Sequence, residues 1–415
     1  MIHFFTSAAS NYLPKVRLLC NSIKKYHPEV TVHLALPDRK PNWLDLNNEP
    51  FDNIITVEEL DIPNLKPWMF GHTLVELSTA IKPFVVRKLL SFENSEAVLY
   101  FDPDMVLFSR LDDLLDIFKT HSIGLTPHQT KPEKSIEAIM DNEISSLRYG
   151  VYNLGFVAVK NDLNGNAFAK WWSERLYEFC REGLNQGLWT DQKWIDLAPA
   201  FFEGVKVLKS SRFNVAAWNI TTRKMEGSLE NGLIIDGEPL GFYHFSGWDS
   251  GAHKVMASKY QGTNRALMSL LEWYEKAETQ DPITSSTPWA FGFFDNNEKI
   301  TKQHRLIYRL RPDLQKAYQN PYQVSEGQCY FNWFNWQAHL EHPELVGNIE
   351  NQGISTENLI SSYRQGAIDW NLIKRYLKRA IFDYKYGYKL SIKTIDIIKK
   401  SGIKGLSGKV RKMSK

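Results

Sequence analysis

Asp102-Pro103-Asp104 places two carboxylates on either side of a rigid proline. Such a pair offers hard oxygen ligands of the kind Mg²⁺ and Mn²⁺ prefer. A divalent cation held there can bridge to a diphosphate and neutralise the charge that builds on it as it departs. The same tripeptide is also common as a plain turn. Its position adds weight to the first reading. It follows the apolar run 97–101 (AVLYF), and ligands of open α/β sheets gather at the C-terminal ends of strands. A third ligand is offered by His244 in LGFYHFSGW (240–248), after an apolar strand and before a turn of small residues. Neutral imidazole complements two carboxylates around Mn²⁺, although a buried histidine hydrogen-bonded to backbone is, taken alone, the more ordinary use of such a position.

The elements that must position these groups can be read from periodicity. Residues 2–8 form an apolar strand, 12–26 carry Val16, Leu19, Cys20 and Ile23 at helical spacing, and 30–37 (VTVHLALP) form a second buried strand. Strand, helix and strand within 40 residues predict a βαβ unit and a parallel sheet. A third strand is predicted at 54–57, and a helix over 73–90 interrupted at Pro83. The wholly apolar fourth strand, 97–101, is expected to be central. Later strands are predicted at 124–127, 155–160 and 205–209, with a tryptophan-bearing helix at 166–181.

The bulk numbers exclude several classes. A chain of 415 residues with 43% hydrophobic and 23% charged side chains is ordinary for a globular protein. Three widely spaced cysteines (Cys20, Cys180, Cys329) share no metal-ligand spacing and argue against a disulfide framework. The N-terminus reads as a strand rather than a secretion signal, and no stretch reaches 18 consecutive apolar residues. These features predict a cytoplasmic location. Charge is uneven: residues 371–415 hold 14 of the 50 basic side chains but only two of the 47 acidic ones. Mixed with Leu, Ile, Tyr and Phe, that stretch predicts a peripheral contact with an anionic membrane surface; a solvated helix or a partner contact remain open. No nucleic-acid-reading motif accompanies the basic residues.

Seven motifs in register, ELSTAIKPF, YFDPDMVLF, LTPH, GVYNLGFVAVK, TDQKWIDLAPAFF, FNVAAWN and FYHFSGW, lie within residues 1–262, together with the opening run AASNYLPKVRLLCNSI (8–23). The chain thereby resembles the GT-A glycosyltransferases related to glycogenin and the bacterial lipopolysaccharide galactosyltransferases, and more narrowly a set of bacterial transferases linked to cell-surface polysaccharide assembly. The resemblance implies a Rossmann-like nucleotide-diphospho-sugar transferase domain of the α/β class with a mainly helical C-terminal region. It implies hexosyl transfer from a nucleotide-diphosphate sugar, UDP by default, to a saccharide, lipid-linked saccharide or protein hydroxyl, with retention of configuration and Mn²⁺ or Mg²⁺ as cofactor.

The resemblance also assigns residues. Thr6, Ala8, Asn11 and Tyr12 fall at the nucleotide site, with Ser10 where the family usually has an acid. Lys82, Asp102, Pro103, Gly155 and Gly247 fall around the donor; Asp102, Asp104 and His244 around the metal; Asn153, Asp191 and Gln192 at the reacting sugar. Asp191 is also placed to cap a helix at 191–197, Asp191 or Asp249 would serve as base in an inverting variant, and His128, Trp189, Trp218 and Trp248 are further cleft candidates. Residues 1–265 are expected to be the catalytic domain, 266–354 a helical, aromatic-rich annex and 355–415 a basic helical region. A non-catalytic sugar-binding module on the same fold is the competing reading.

Overall fold

The computed structural model describes residues 1–280, 288–325 and 327–346. The region expected at 355–415, with its basic stretch, lies outside the described residues. Met1–Asn332 form one compact unit and a second begins at Trp333. The described part of the second is the end of the helix Tyr330–Glu341 and the short helix Pro343–Val346. No described helix is long and apolar enough to cross a membrane.

The first unit is built on a seven-stranded sheet. Its strands are β1 (Ile2–Ser7), β2 (Thr31–Leu36), β3 (Asn53–Thr56), β4 (Ala97–Phe101), β6 (Ile123–Pro127), β7 (Tyr152–Lys160) and β8 (Val205–Val207), and β5 (Met105–Leu107) lies outside it. The order across the sheet is β8-β6-β7-β4-β1-β2-β3, so the wholly buried β4 is the middle strand, as its composition predicts. Alternate side chains feed two apolar layers, one containing Phe5, Val98, Tyr100 and Val157, the other Phe4, Leu99, Phe101 and Phe156.

Helix α1 (Leu13–Tyr26) buries Val16, Leu19, Cys20 and Ile23 against the second layer. The predicted helix over 73–90 is two helices: Leu74–Ala80, opened by a Thr73/Glu76 capping box, and α2 (Lys82–Leu90). Pro83 sits in the first turn of α2, where its missing N–H is harmless, so the proline starts a helix rather than kinking one. Helix α3 (Leu163–Phe179) begins three residues before its predicted start because Asp162 caps it, accepting from the Gly165 N–H. Helix α4 (Arg265–Gln280), beyond the expected boundary at 265, packs on α1.

The sheet departs from the all-parallel expectation in one strand. β7 runs antiparallel to both β4 and β6. The start of β7, with Asn153 and Gly155, therefore emerges at the same edge as the C-terminal ends of β1, β4 and β6. The reversal brings Gly155 beside Asp102, whose N–H donates to the Gly155 carbonyl at 2.7 Å. A last strand, β9 (Phe242–His244), pairs antiparallel with β5, in register His244 to Met105. That hairpin-like pairing of two distant segments sets His244 next to Asp104.

Candidate active site at the C-terminal edge of the sheet

Asp102, Asp104 and His244 each offer one ligand atom within 4.8 Å of the others, the only such group of three among the described residues. His244 Nε2 lies 3.1 Å from Asp104 Oδ1 and 3.8 Å from Asp102 Oδ2. It is buried and makes no hydrogen bond of acceptable geometry. The other ring nitrogen, Nδ1, faces Asn214 Oδ1 at 3.3 Å. Because the Asn214 amide nitrogen donates to Thr126 Oγ1 and Asn153 Oδ1, its oxygen is the acceptor, which assigns the proton to His244 Nδ1. Nε2 is then the nitrogen that faces the two carboxylates, where it either carries a second proton or gives that place to a divalent cation. Burial by itself raises the Asp104 carboxyl, but the adjacent His244 ring and the Lys15 charge outweigh it and hold the group below the usual range. The donor set, one imidazole and two carboxylates, fits Mn²⁺ or Mg²⁺.

A buried lysine organises the other side of this cluster. Lys82 is 5% exposed. Its Nζ lies 3.0 Å from Asp191 Oδ2, 3.3 Å from Asp102 Oδ1 and 3.2 Å from the Leu154 carbonyl, and 4.3 Å from the Tyr100 ring centroid. The Tyr100 hydroxyl donates to the same Asp102 Oδ1. One oxygen of Asp102 is thus held by Lys82 and Tyr100, leaving the other turned toward His244. Burial would neutralise Lys82, but its two carboxylate partners prevail and its pKa is raised, so it stays charged. Asp191 stands at the N-terminus of the helix Gln192–Ile195 without capping it, because its carboxylate is drawn to Lys82 instead. Burial raises the Asp191 carboxyl, and Lys82, shared with Asp102, offsets only part of the rise.

Behind the ligands runs a chain of amides. Asn153 Oδ1 accepts from the Gly155 N–H at 3.2 Å and from Asn214; its Nδ2 faces His128 Nε2 at 3.2 Å and Gln192 Oε1 at 3.3 Å. Gln192 also accepts from the Leu154 N–H and donates to the Tyr149 carbonyl. Asn153 and Gln192, expected at the reacting sugar, are therefore both committed to internal partners in this arrangement. Burial lowers the His128 pKa to about 4, so this ring is neutral. Gly155 has a steric role: a Cβ there would lie 2.6 Å from His244 Cε1. Only glycine leaves room for the His244 ring.

The remaining predicted residues are dispersed around this edge. Thr6 is buried within β1 and its hydroxyl is unpartnered; Ala8 is buried at the end of that strand, and its N–H donates to the Ala35 carbonyl. Asn11 is exposed. The Tyr12 hydroxyl donates to Asp249, as does Lys15 Nζ. Pro103 forms the turn between β4 and β5, and Gly247 occupies the left-handed region (φ 75°) in the loop after His244. Trp218 stands edge-on to both His244 and His128, with ring centroids 5.2 and 5.4 Å away. Trp248 is packed among Phe245, Tyr274 and His253 in the core, and Trp189 lies against Tyr149. Sequence reasoning missed Asn214, Tyr100, Lys15 and Glu278. Asn214 sits inside FNVAAWN at φ 50°, and Lys15 shares the buried face of α1 with Leu19, a position where a lysine is itself a signal.

No family model matches the chain. It is 27% identical over 251 residues to the uncharacterized protein YfnD of Bacillus subtilis (strain 168), covering 59% of this chain and 78% of that protein. A second uncharacterized protein of the same organism, YfnF, is 27% identical over 229 residues, 54% of this chain and 74% of that one. Among solved structures, the galactosyltransferase LgtC in complex with donor and acceptor sugar analogues is 16% identical with a TM-score of 0.38, covering 66% of this chain and all of that one. The glycosyltransferase GlyE of Streptococcus pneumoniae TIGR4 is 14% identical with a TM-score of 0.36, covering 71% of this chain and 66% of that one.

Proposed function

We propose that the protein is a metal-dependent glycosyltransferase that moves a hexosyl group from a nucleotide-diphosphate sugar, UDP-linked by default, to a hydroxyl acceptor in the assembly of cell-surface polysaccharide or glycoconjugate. The observation that carries the reading is the buried, unpartnered His244 Nε2 facing Asp102 and Asp104 at the C-terminal edge of the sheet. Asp102, Asp104 and His244 would hold Mn²⁺ or Mg²⁺, which when bound supplies the positive charge that stabilises a departing diphosphate. Lys82 fixes one oxygen of Asp102 and holds Asp191 at the same edge, and Asn214 fixes the His244 tautomer. Trp218, beside His244, offers an aromatic face for a sugar ring.

Retention of configuration is the course that the resemblance to the glycogenin-related transferases implies. A screen of nucleotide sugars for Mn²⁺-dependent hydrolysis tests the proposal. Turnover of at least one donor that is lost in Asp104→Ala and on chelation is expected. Nucleotide-sugar binding without turnover of any donor would favour a sugar-binding module instead. An α-linkage from an α-donor supports retention, and a β-linkage would overturn it.

A further inference from the structure

Lys15 is a buried cation that the metal-site geometry leaves unexplained. It projects from the first turn of α1 and is 4% exposed. Its Nζ is paired with Asp249 and lies 3.4 Å from Glu278 Oε1, and it rests 4.6 Å from the Tyr12 ring centroid. Helix α1 packs on β5, which begins at the residue after Asp104 and pairs with β9, and Asp249 follows His244 by five positions. Lys15 therefore stands beside the metal cluster, on the side where α1, α4 and the loop after β9 converge. Its two partners differ in kind. Glu278 is carried on α4, while Asp249 lies in a loop between Gly247 and Gly251, both in the left-handed region (φ 75° and 76°), and its side chain is 54% exposed. A buried lysine needs an anion, and Asp249 is an anion on a hinged, solvent-facing segment.

We propose that Lys15 is a phosphate-binding residue of the site and that Asp249 is its displaceable counter-ion, giving way to a diphosphate oxygen when the nucleotide binds. The inference deepens the proposed function and rests on it. The local charges favour the exchange. With a divalent cation in place, that cation, Lys15 and Lys82 face the carboxylates of Asp102, Asp104, Asp191, Asp249 and Glu278. Withdrawal of Asp249 into solvent removes one negative charge at the point where an incoming diphosphate brings its own. Departure of Asp249 also frees the Tyr12 hydroxyl, which the same carboxylate holds. Phosphate arrival and release of Tyr12 are thereby coupled through one side chain.

The test is calorimetric titration of the full chain with inorganic pyrophosphate, and separately with UDP and uridine, all in saturating Mn²⁺. Lys15→Met should weaken pyrophosphate and UDP by about tenfold or more, the loss expected of a charge-assisted hydrogen bond, and leave uridine within about twofold. Asp249→Asn, a largely exposed position, should tighten pyrophosphate by about threefold to tenfold. Retained Mn²⁺ binding by Lys15→Met shows that the fold survives. Equal pyrophosphate affinity in wild type and Lys15→Met, or weaker binding in Asp249→Asn, overturns the inference while leaving the proposed function in place. Failure of the wild type to bind pyrophosphate or any nucleoside diphosphate in Mn²⁺ removes both.

Discussion

Two buried histidine clusters sit at opposite edges of the same sheet. At the N-terminal ends of β1 and β2, His3 Nδ1 faces His33 Nε2 at 3.0 Å, and the outer nitrogen of each ring is unpartnered. Both rings pack on Phe92. At the C-terminal edge, His244 likewise has one unpartnered nitrogen. The difference lies in what surrounds them. Asp52, the carboxylate whose charge acts on His33, is already bound by Lys24 and the Val32 N–H, whereas Asp102 and Asp104 keep oxygens turned toward His244. An orphaned imidazole nitrogen marks a site only where free carboxylates converge on it and a fixed partner sets the ring's tautomer. Otherwise it is a histidine used as core.

The comparison breaks first at Asp104. Asp104→Ala removes a proposed ligand and is expected to lower Mn²⁺-dependent sugar transfer by roughly 1000-fold, read as kcat/KM, with little loss of stability. Lys82→Ala leaves the buried Asp191 and the half-buried Asp102 without their cation. It should destabilise the fold by about 3 kcal/mol in urea unfolding and lower activity as well, because Asp102 loses its anchor.

Asn214 sharpens the contrast, since it fixes the His244 tautomer from outside, whereas His3 and His33 have only each other. Asn214→Ala and Asn214→Gly should each weaken Mn²⁺ by about 10-fold to 100-fold in direct titration. The alanine form should lose roughly 1 kcal/mol more stability, because φ 50° suits glycine and strains alanine. The smallest effect lies at the other edge. Burial lowers the folded His33 pKa to about 4, below the free value. The unfolded chain then takes up protons that the folded chain refuses, so His33 erodes stability as pH falls from about 6.5 toward 4. His33→Phe should flatten the fall in unfolding free energy over that window by up to about 1 kcal/mol per pH unit, and leave Mn²⁺ affinity unchanged.

Much of the fold was legible because its strands are apolar and short. β4 announced its central place by its run of large apolar and aromatic residues, and the Asp-Pro-Asp that follows it pointed to the edge where the carboxylates gather. His244 was legible from its place between an apolar strand and a small-residue turn. The reversal of β7 was not, since periodicity carries no strand direction, yet that reversal is what brings Asn153 and Gly155 to the site. Lys82 was visible as a charge near the metal motif, but its grip on Asp191 spans 109 positions and depends on tertiary packing. Asn214, Lys15 and Glu278 act through contacts with residues from 30 to more than 230 positions away, and local pattern says nothing of such pairs. The role allowed for Asp191 as a helix cap failed for the same reason: a buried lysine outcompetes backbone N–H groups for a carboxylate.

The most direct measurement is calorimetric titration of Mn²⁺ into the full chain in the presence of a nucleoside diphosphate, repeated with Asp104→Ala. The account predicts a single site, nucleoside diphosphate bound only with the metal, and loss of both in the variant. Nucleoside diphosphate binding of equal strength in chelator, or a metal site unaffected by Asp104→Ala, would contradict it.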